Sequence, residues 1–158
     1  MKQQDLYEPI KAWLENKGFR TFISGNKMTT VIPISDLISM PYKIPDLVGI
    51  DNRSRVVIVE VEKDMKRFFD ALGRCALWKC MASFVYLAFP KGQIIRAPFL
   101  KKYGIGLLEI DIETRKVAGA IELPQEGTGL HQVLELHPLD FQKEQQLAKQ
   151  IEHILTGA

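Results

Sequence analysis

The sequence predicts an α/β domain in which a mixed β-sheet carries an antiparallel hairpin and is flanked by helices. Three observations lead there. Apolar residues at helical spacing alternate along the chain with short runs rich in Val, Ile and Phe. Two of those runs, 46–50 and 55–62, are separated by the dense turn signal Asp51-Asn52-Arg53-Ser54, which makes them partners in a hairpin. The second run leads at once into a long amphipathic stretch and then another apolar run.

In chain order, Leu6, Ile10, Trp13, Leu14 and Lys17 recur at helical spacing, and Gly18 is placed to stop that helix. Residues 19–24 alternate as a strand does. Residues 25–30 are polar and turn-like, 31–34 read as a short strand, and 35–45, with Pro41 and Pro45, as an irregular excursion. The hairpin strands follow. Asp64 is placed to cap a helix over 65–83. Its expected buried stripe is Met65, Phe68, Phe69, Leu72, Ala76 and Cys80. Residues 84–89 form a further strand, ended by Pro90-Lys91-Gly92. A short helix over 97–103, strands over 106–112 and 117–123, a loop at 124–129 and a closing amphipathic helix over 139–155 complete the chain. No internal repeat, low-complexity tract or linker interrupts it, so the 158 residues are expected to form a single domain.

A domain of that size buries about 68–70% of its unfolded surface and needs no staples. With 46% apolar and 25% charged residues, the composition is that of an ordinary globular chain. Cys75 and Cys80 are too few for a disulfide framework and wrongly spaced for a zinc knuckle, so they are expected to be helix thiols in a reducing cytoplasm. The first residues lack an apolar signal region, and apolar runs such as 84–90 are of strand length, which argues against a membrane location. A net charge of +2 neither requires nor excludes nucleic acid, so any basic surface must be gathered by the fold.

The alternation along 55–62 carries the chemistry. Val57, Val59 and Val61 share one face, and Val56, Ile58, Glu60 and Glu62 share the other. Two carboxylates therefore end an otherwise apolar strand face, where ionised groups are costly unless paired or bound to metal. The hairpin returns Asp46 to the same end. Three acids at one sheet edge suit a hard cation, magnesium or manganese, held by carboxylates, waters and substrate phosphate. Such an ion activates water and offsets charge on a phosphodiester. A solvated strand end is the plainer reading of the same spacing, since 19 of the residues are acidic.

Pro45-Asp46-Leu47-Val48-Gly49-Ile50, the turn, and Val57-Ile58-Val59-Glu60-Val61-Glu62-Lys63 resemble the PD-(D/E)xK nuclease superfamily. That superfamily includes restriction endonucleases, archaeal Holliday-junction resolvases and RecB-like nucleases. The match runs in order from about residue 6 to 89 and leaves 124–158 as an extension. It implies a restriction endonuclease-like core, and a metal-dependent DNA endonuclease with Asp46 and Glu60 as metal ligands. Glu62 stands where the family usually has Lys, a departure that some members share while still cleaving. It would complete the metal shell or act as general base. Lys63 is adjacent, and on a regular strand it faces the other way unless a bulge turns it toward the acids.

The resemblance also implies a polar residue on the following helix. Arg74 falls near that place, on a helical row with Lys63, Arg67 and Asp70. Arg67, Arg74 and, from the excursion, Lys43 are candidate DNA contacts, each readable also as solvated basic surface. Many members place an acid on the first helix. Glu8 is that candidate, although aligning on Gly18 brings Tyr7 nearer, and a first-turn acid also suits the helix dipole.

Trp78, Phe84, Tyr86 and Phe89 read as core rather than base-stacking residues, and His131 and His137 as structural or exposed. Two other functions stay open. A catalytically inactive module on the same fold would bind nucleic acid or a protein. An assembly protein would use Leu147, Ile151, Ile154 and Leu155 of the last helix to form a homodimer, unless that stripe packs on its own sheet.

Overall fold

A computed structural model describes residues 2–24, 45–93, 104–122 and 141–157. The expected short strand at 31–34, the short helix at 97–103, the loop at 124–129 and most of the excursion fall outside them, as do Lys43, His131 and His137. The elements are α1 (Tyr7–Asn16), β1 (Arg20–Ile23), β2 (Leu47–Ile50), β3 (Val56–Val61), α2 (Phe68–Trp78), β4 (Phe84–Pro90), β5 (Ile105–Asp111), β6 (Lys116–Ile121) and α3 (Phe141–Thr156). Single 3-10 turns precede α1 at Gln3–Leu6 and α2 at Met65–Arg67.

The strands form one mixed sheet of six in the order β1-β2-β3-β4-β5-β6. β1, β2 and β3 form an antiparallel meander, β4 and β5 run parallel to β3, and β6 returns antiparallel. The β2–β3 turn is held by Asp51. Its Oδ1 accepts from the N–H groups of Arg53 and Arg55, both at 2.9 Å, and its Oδ2 from Arg55 Nε at 2.7 Å. In that register Leu47 lies opposite Val59 and Ile50 opposite Val56.

Strand alternation then assigns the two faces. Val57, Val59 and Val61 pack with Phe84, Tyr86 and Ala88 beneath Leu6, Ile10 and Leu14 of the first helical segment. Val56 and Ile58 pack with Val85, Leu87 and Phe89 beneath α2 and α3. Glu60 continues this second face and therefore meets α2.

α1 ends as its sequence indicates. Gly18 takes φ +98°, the left-handed value that glycine accepts without strain. Its N–H donates to the Glu15 carbonyl and that of Phe19 to the Leu14 carbonyl, which closes the helix in a Schellman arrangement. The second helix departs from expectation. Asp64 does accept from the Lys66 N–H at 2.9 Å, but the α-helix stops at Trp78 rather than 83. The chain must turn there so that Met81 and Ala82 enter the core. The buried stripe is also rotated: Ala71, Cys75 and Trp78 are buried, Phe68 and Leu72 are half-buried, and Ala76 and Phe69 are exposed. Spacings of four and three put 71, 75 and 78 on the row that faces β3 and β4.

Leu147 and Ile151 of α3 are buried on the chain's own sheet, with Ile154 and Leu155 packed against the same core. The stripe considered for a homodimer is thereby covered from within. Among the described residues no helix is long and apolar enough to cross a membrane. Cys75 is buried and Cys80 half-buried, and both are free thiols.

Candidate functional site

The β2–β3 hairpin and the parallel β3–β4 pair decide where the acids go. Asp46 precedes β2, and its Oδ2 accepts from the N–H of Val61, the last residue of β3, at 2.8 Å. The Glu62 N–H is drawn to the Ala88 carbonyl at 3.0 Å, which holds the next carboxylate at the same edge. Glu60 and Glu62 are 2% and 7% exposed. Asp46, Glu60 and Glu62 all line one cavity of about 680 Å³ at this end of the sheet. The sequence reading of three converging acids corresponds to what the chain does.

Each acid already has protein partners. Arg74 bridges the two glutamates, with Nε 3.2 Å from Glu60 Oε2 and Nη2 2.6 Å from Glu62 Oε1. The other Glu60 oxygen accepts from the buried Trp78 indole N–H at 2.5 Å. Asp46 Oδ1 accepts from the Tyr7 hydroxyl at 3.1 Å, and Gln3 Nε2 donates to Asp46 Oδ2 at 3.4 Å and to the Val61 carbonyl at 2.6 Å.

Burial raises the Glu60 carboxyl from the ordinary 4.5 to about 8, and the nearby charge of Asp46 pushes the same way. The Trp78 hydrogen bond and Arg74 oppose that rise without cancelling it. Burial pushes the Tyr7 hydroxyl up as well, reinforced by Asp46, so it remains a donor.

The cations divide into two sets. Arg74 is spent on the acids rather than held ready for phosphate. Lys63, Lys66 and Arg67 line the mouth of the same cavity, are exposed, and make no ion pair among the described residues. Lys63 was expected to face away. β3 ends at Val61, so strand alternation no longer governs it and it turns into the cavity lining. Glu8 is exposed and takes no part in the lining. The first helical segment reaches the acids through Tyr7 and Gln3 instead.

Gln3 was not foreseen, and Trp78 was foreseen as core alone. Trp78 was legible in principle. It lies four residues after Arg74 on a buried helix face, so both point at whatever polar group the facing strand buries. Gln3 carried no comparable signal, because it acts from a 3-10 turn ahead of the periodic helix.

Magnesium or manganese was expected here. The oxygen donors have the right chemistry, but the arrangement does not fit. Both Glu60 oxygens and one of Glu62 already accept hydrogen bonds, two of them from the bridging guanidinium. Among the described residues no group of three His, Cys, Asp or Glu side chains is disposed to hold a metal ion.

No protein-family model and no curated protein matches the chain. Among solved structures, the SPO1766 protein of unknown function from Silicibacter pomeroyi is similar in fold, with 16% identity and a TM-score of 0.53. The match covers 99% of this chain and 92% of that one. At that identity the likeness concerns the fold alone.

Proposed function

We propose that the cavity binds the phosphodiester backbone of nucleic acid on a fold of the PD-(D/E)xK nuclease kind. One observation carries the proposal. The buried acids take their hydrogen bonds and one counter-charge, Arg74, from inside the protein, whereas Lys63, Lys66 and Arg67, exposed in the same lining beside Asp64, make no ion pair among the described residues. The more exposed part of the lining thus sets three cations against the single carboxylate of Asp64, and phosphate is the anion such a cluster attracts. The order α1-β1-β2-β3-α2-β4, with the acids at the open end of the hairpin and β4 parallel to β3, is in keeping with the core that the sequence resemblance implies.

A second reading is metal-dependent hydrolysis of DNA. The elevated Glu60 carboxyl favours it, because a buried acid cluster that holds a proton near neutral pH is short of positive charge. In this reading Asp46, Glu60 and Glu62 are the residues at stake, and the Arg74 bridge has to open.

Binding and cleavage separate the two. Labelled DNA would be titrated with wild-type protein and with Lys63→Gln/Lys66→Gln/Arg67→Gln. Cleavage would be followed with magnesium or manganese beside Asp46→Asn and Glu60→Gln. Binding lost in the triple variant, with no cleavage by any protein, supports the first reading. Metal-dependent cleavage abolished by both acid substitutions establishes the second. Absence of both binding and cleavage defeats both.

A further inference from the structure

Phe69 is 82% exposed, in the first turn of α2. Its ring meets Phe68 edge-on at 5.5 Å and 76°, and Phe68 is stacked at 6.2 Å on Phe89, a fully buried residue of β4. The phenyl ring thus stands on an aromatic pedestal that reaches the core. Lys66 and Arg67 precede it within one turn, both exposed and both lining the mouth of the cavity. Lys66 lies three residues before Phe69, in the 3-10 turn that leads into α2.

An aromatic face presented to water near exposed cations that make no ion pair among the described residues matches the requirements of an unpaired nucleotide. The cations take the backbone, and the ring takes the base by stacking, which every base permits. A base inside a duplex is stacked on its neighbours and offers no face to a protein ring. A single strand, a frayed end or a bulge does. We infer that Phe69 is a base-stacking platform and that the cavity selects nucleic acid with unpaired bases, the phosphate held by Lys63, Lys66 and Arg67 and the adjoining base laid on Phe69. The inference rests on the phosphate-binding reading above and adds the substrate class.

Fluorescence anisotropy with a short labelled oligothymidine and a blunt duplex of equal length tests it. The proteins would be wild type, Phe69→Ala, Phe69→Trp and Lys66→Gln/Arg67→Gln, each checked for an unchanged thermal melt. Phe69→Ala is expected to weaken single-strand binding on the order of tenfold while leaving the duplex unaffected. Phe69→Trp should retain single-strand affinity, and the double variant should weaken both ligands. Equal single-strand affinity of wild type and Phe69→Ala, or an equal loss on both ligands, overturns the stacking role. If the double variant still weakens binding in that case, the phosphate-binding reading survives alone. If wild type binds neither ligand, both ideas fail, and the Phe69 surface is to be sought as a protein contact.

Discussion

Glu60 concentrates the energetics of the site. Its carboxyl titrates near 8 when folded and near 4.5 when exposed, so between those values the folded chain keeps a proton that the unfolded chain has released. Its contribution to stability is whole below about pH 4.5 and is lost as pH rises through 8. Glu144, also raised by burial, acts in the same sense. Thermal melts between pH 5 and pH 8 should therefore fall with rising pH, and Glu60→Gln should flatten most of that fall. An unchanged slope in Glu60→Gln would move the effect elsewhere.

Arg74 is the complement. Removing it as Arg74→Ala leaves Glu62 buried with its guanidinium partner gone. Breaking a buried pair in this way costs about 3 kcal/mol, to be read from urea midpoints. A change below about 0.5 kcal/mol would mean that the bridge holds nothing together.

At the scale of elements, α3 is tied to the sheet by one carboxylate. Glu144 Oε2 accepts from the Ser83 N–H and hydroxyl, both at 2.6 Å, and from the Val56 N–H at 3.2 Å, which joins α3 to the starts of β3 and β4. Glu144→Ala strands those buried donors and should cost about 1–3 kcal/mol, with Glu144→Gln recovering part of it. Equal stability of the alanine and glutamine variants would show that the carbonyl acceptor is not what matters.

β1 and β2 approach closely at Gly49, where an added Cβ would lie 2.4 Å from Thr21 Cγ2 and 2.8 Å from the Arg20 carbonyl oxygen. The backbone oxygen cannot step aside cheaply, so Gly49→Ala should cost about 1–3 kcal/mol in the same denaturation assay. A wild-type midpoint would mean that the strands part more easily than this packing allows.

Elements also explain what the sequence could and could not reveal. β3 was legible because period-two alternation is a local property, and Val57, Val59 and Val61 do lie on the face opposite Val56, Ile58 and Glu60. The hairpin was legible from its turn. The stripe of α2 was misread because Phe69 is apolar yet exposed, and hydrophobicity alone cannot tell a core ring from a surface one. Glu144 looked like any other acid on an amphipathic helix. Its burial depends on where β3 and β4 begin, which only the assembled sheet determines.

Over the whole molecule, a net charge of only +2 conceals an uneven distribution. The convergence of Asp46, Glu60 and Glu62 was readable from strand and turn, but the side chains that hydrogen-bond them come from α2 and from the first helical segment, outside the hairpin. The same fold that gives the acids these partners leaves Lys63, Lys66 and Arg67 exposed in the cavity lining with no ion pair among the described residues.

The salt dependence of oligonucleotide affinity bears most directly on that cationic mouth. Each phosphate contact releases counterions, so log affinity falls linearly with log salt by about 0.9 per contact on duplex DNA and about 0.7 on a single strand. Three contacting cations should give a clear negative slope in wild type. Lys63→Gln/Lys66→Gln/Arg67→Gln should bind more weakly and lose about 2–3 units of that slope, roughly one per cation. Binding whose strength and slope are the same in wild type and the triple variant would contradict a phosphate site at this cavity.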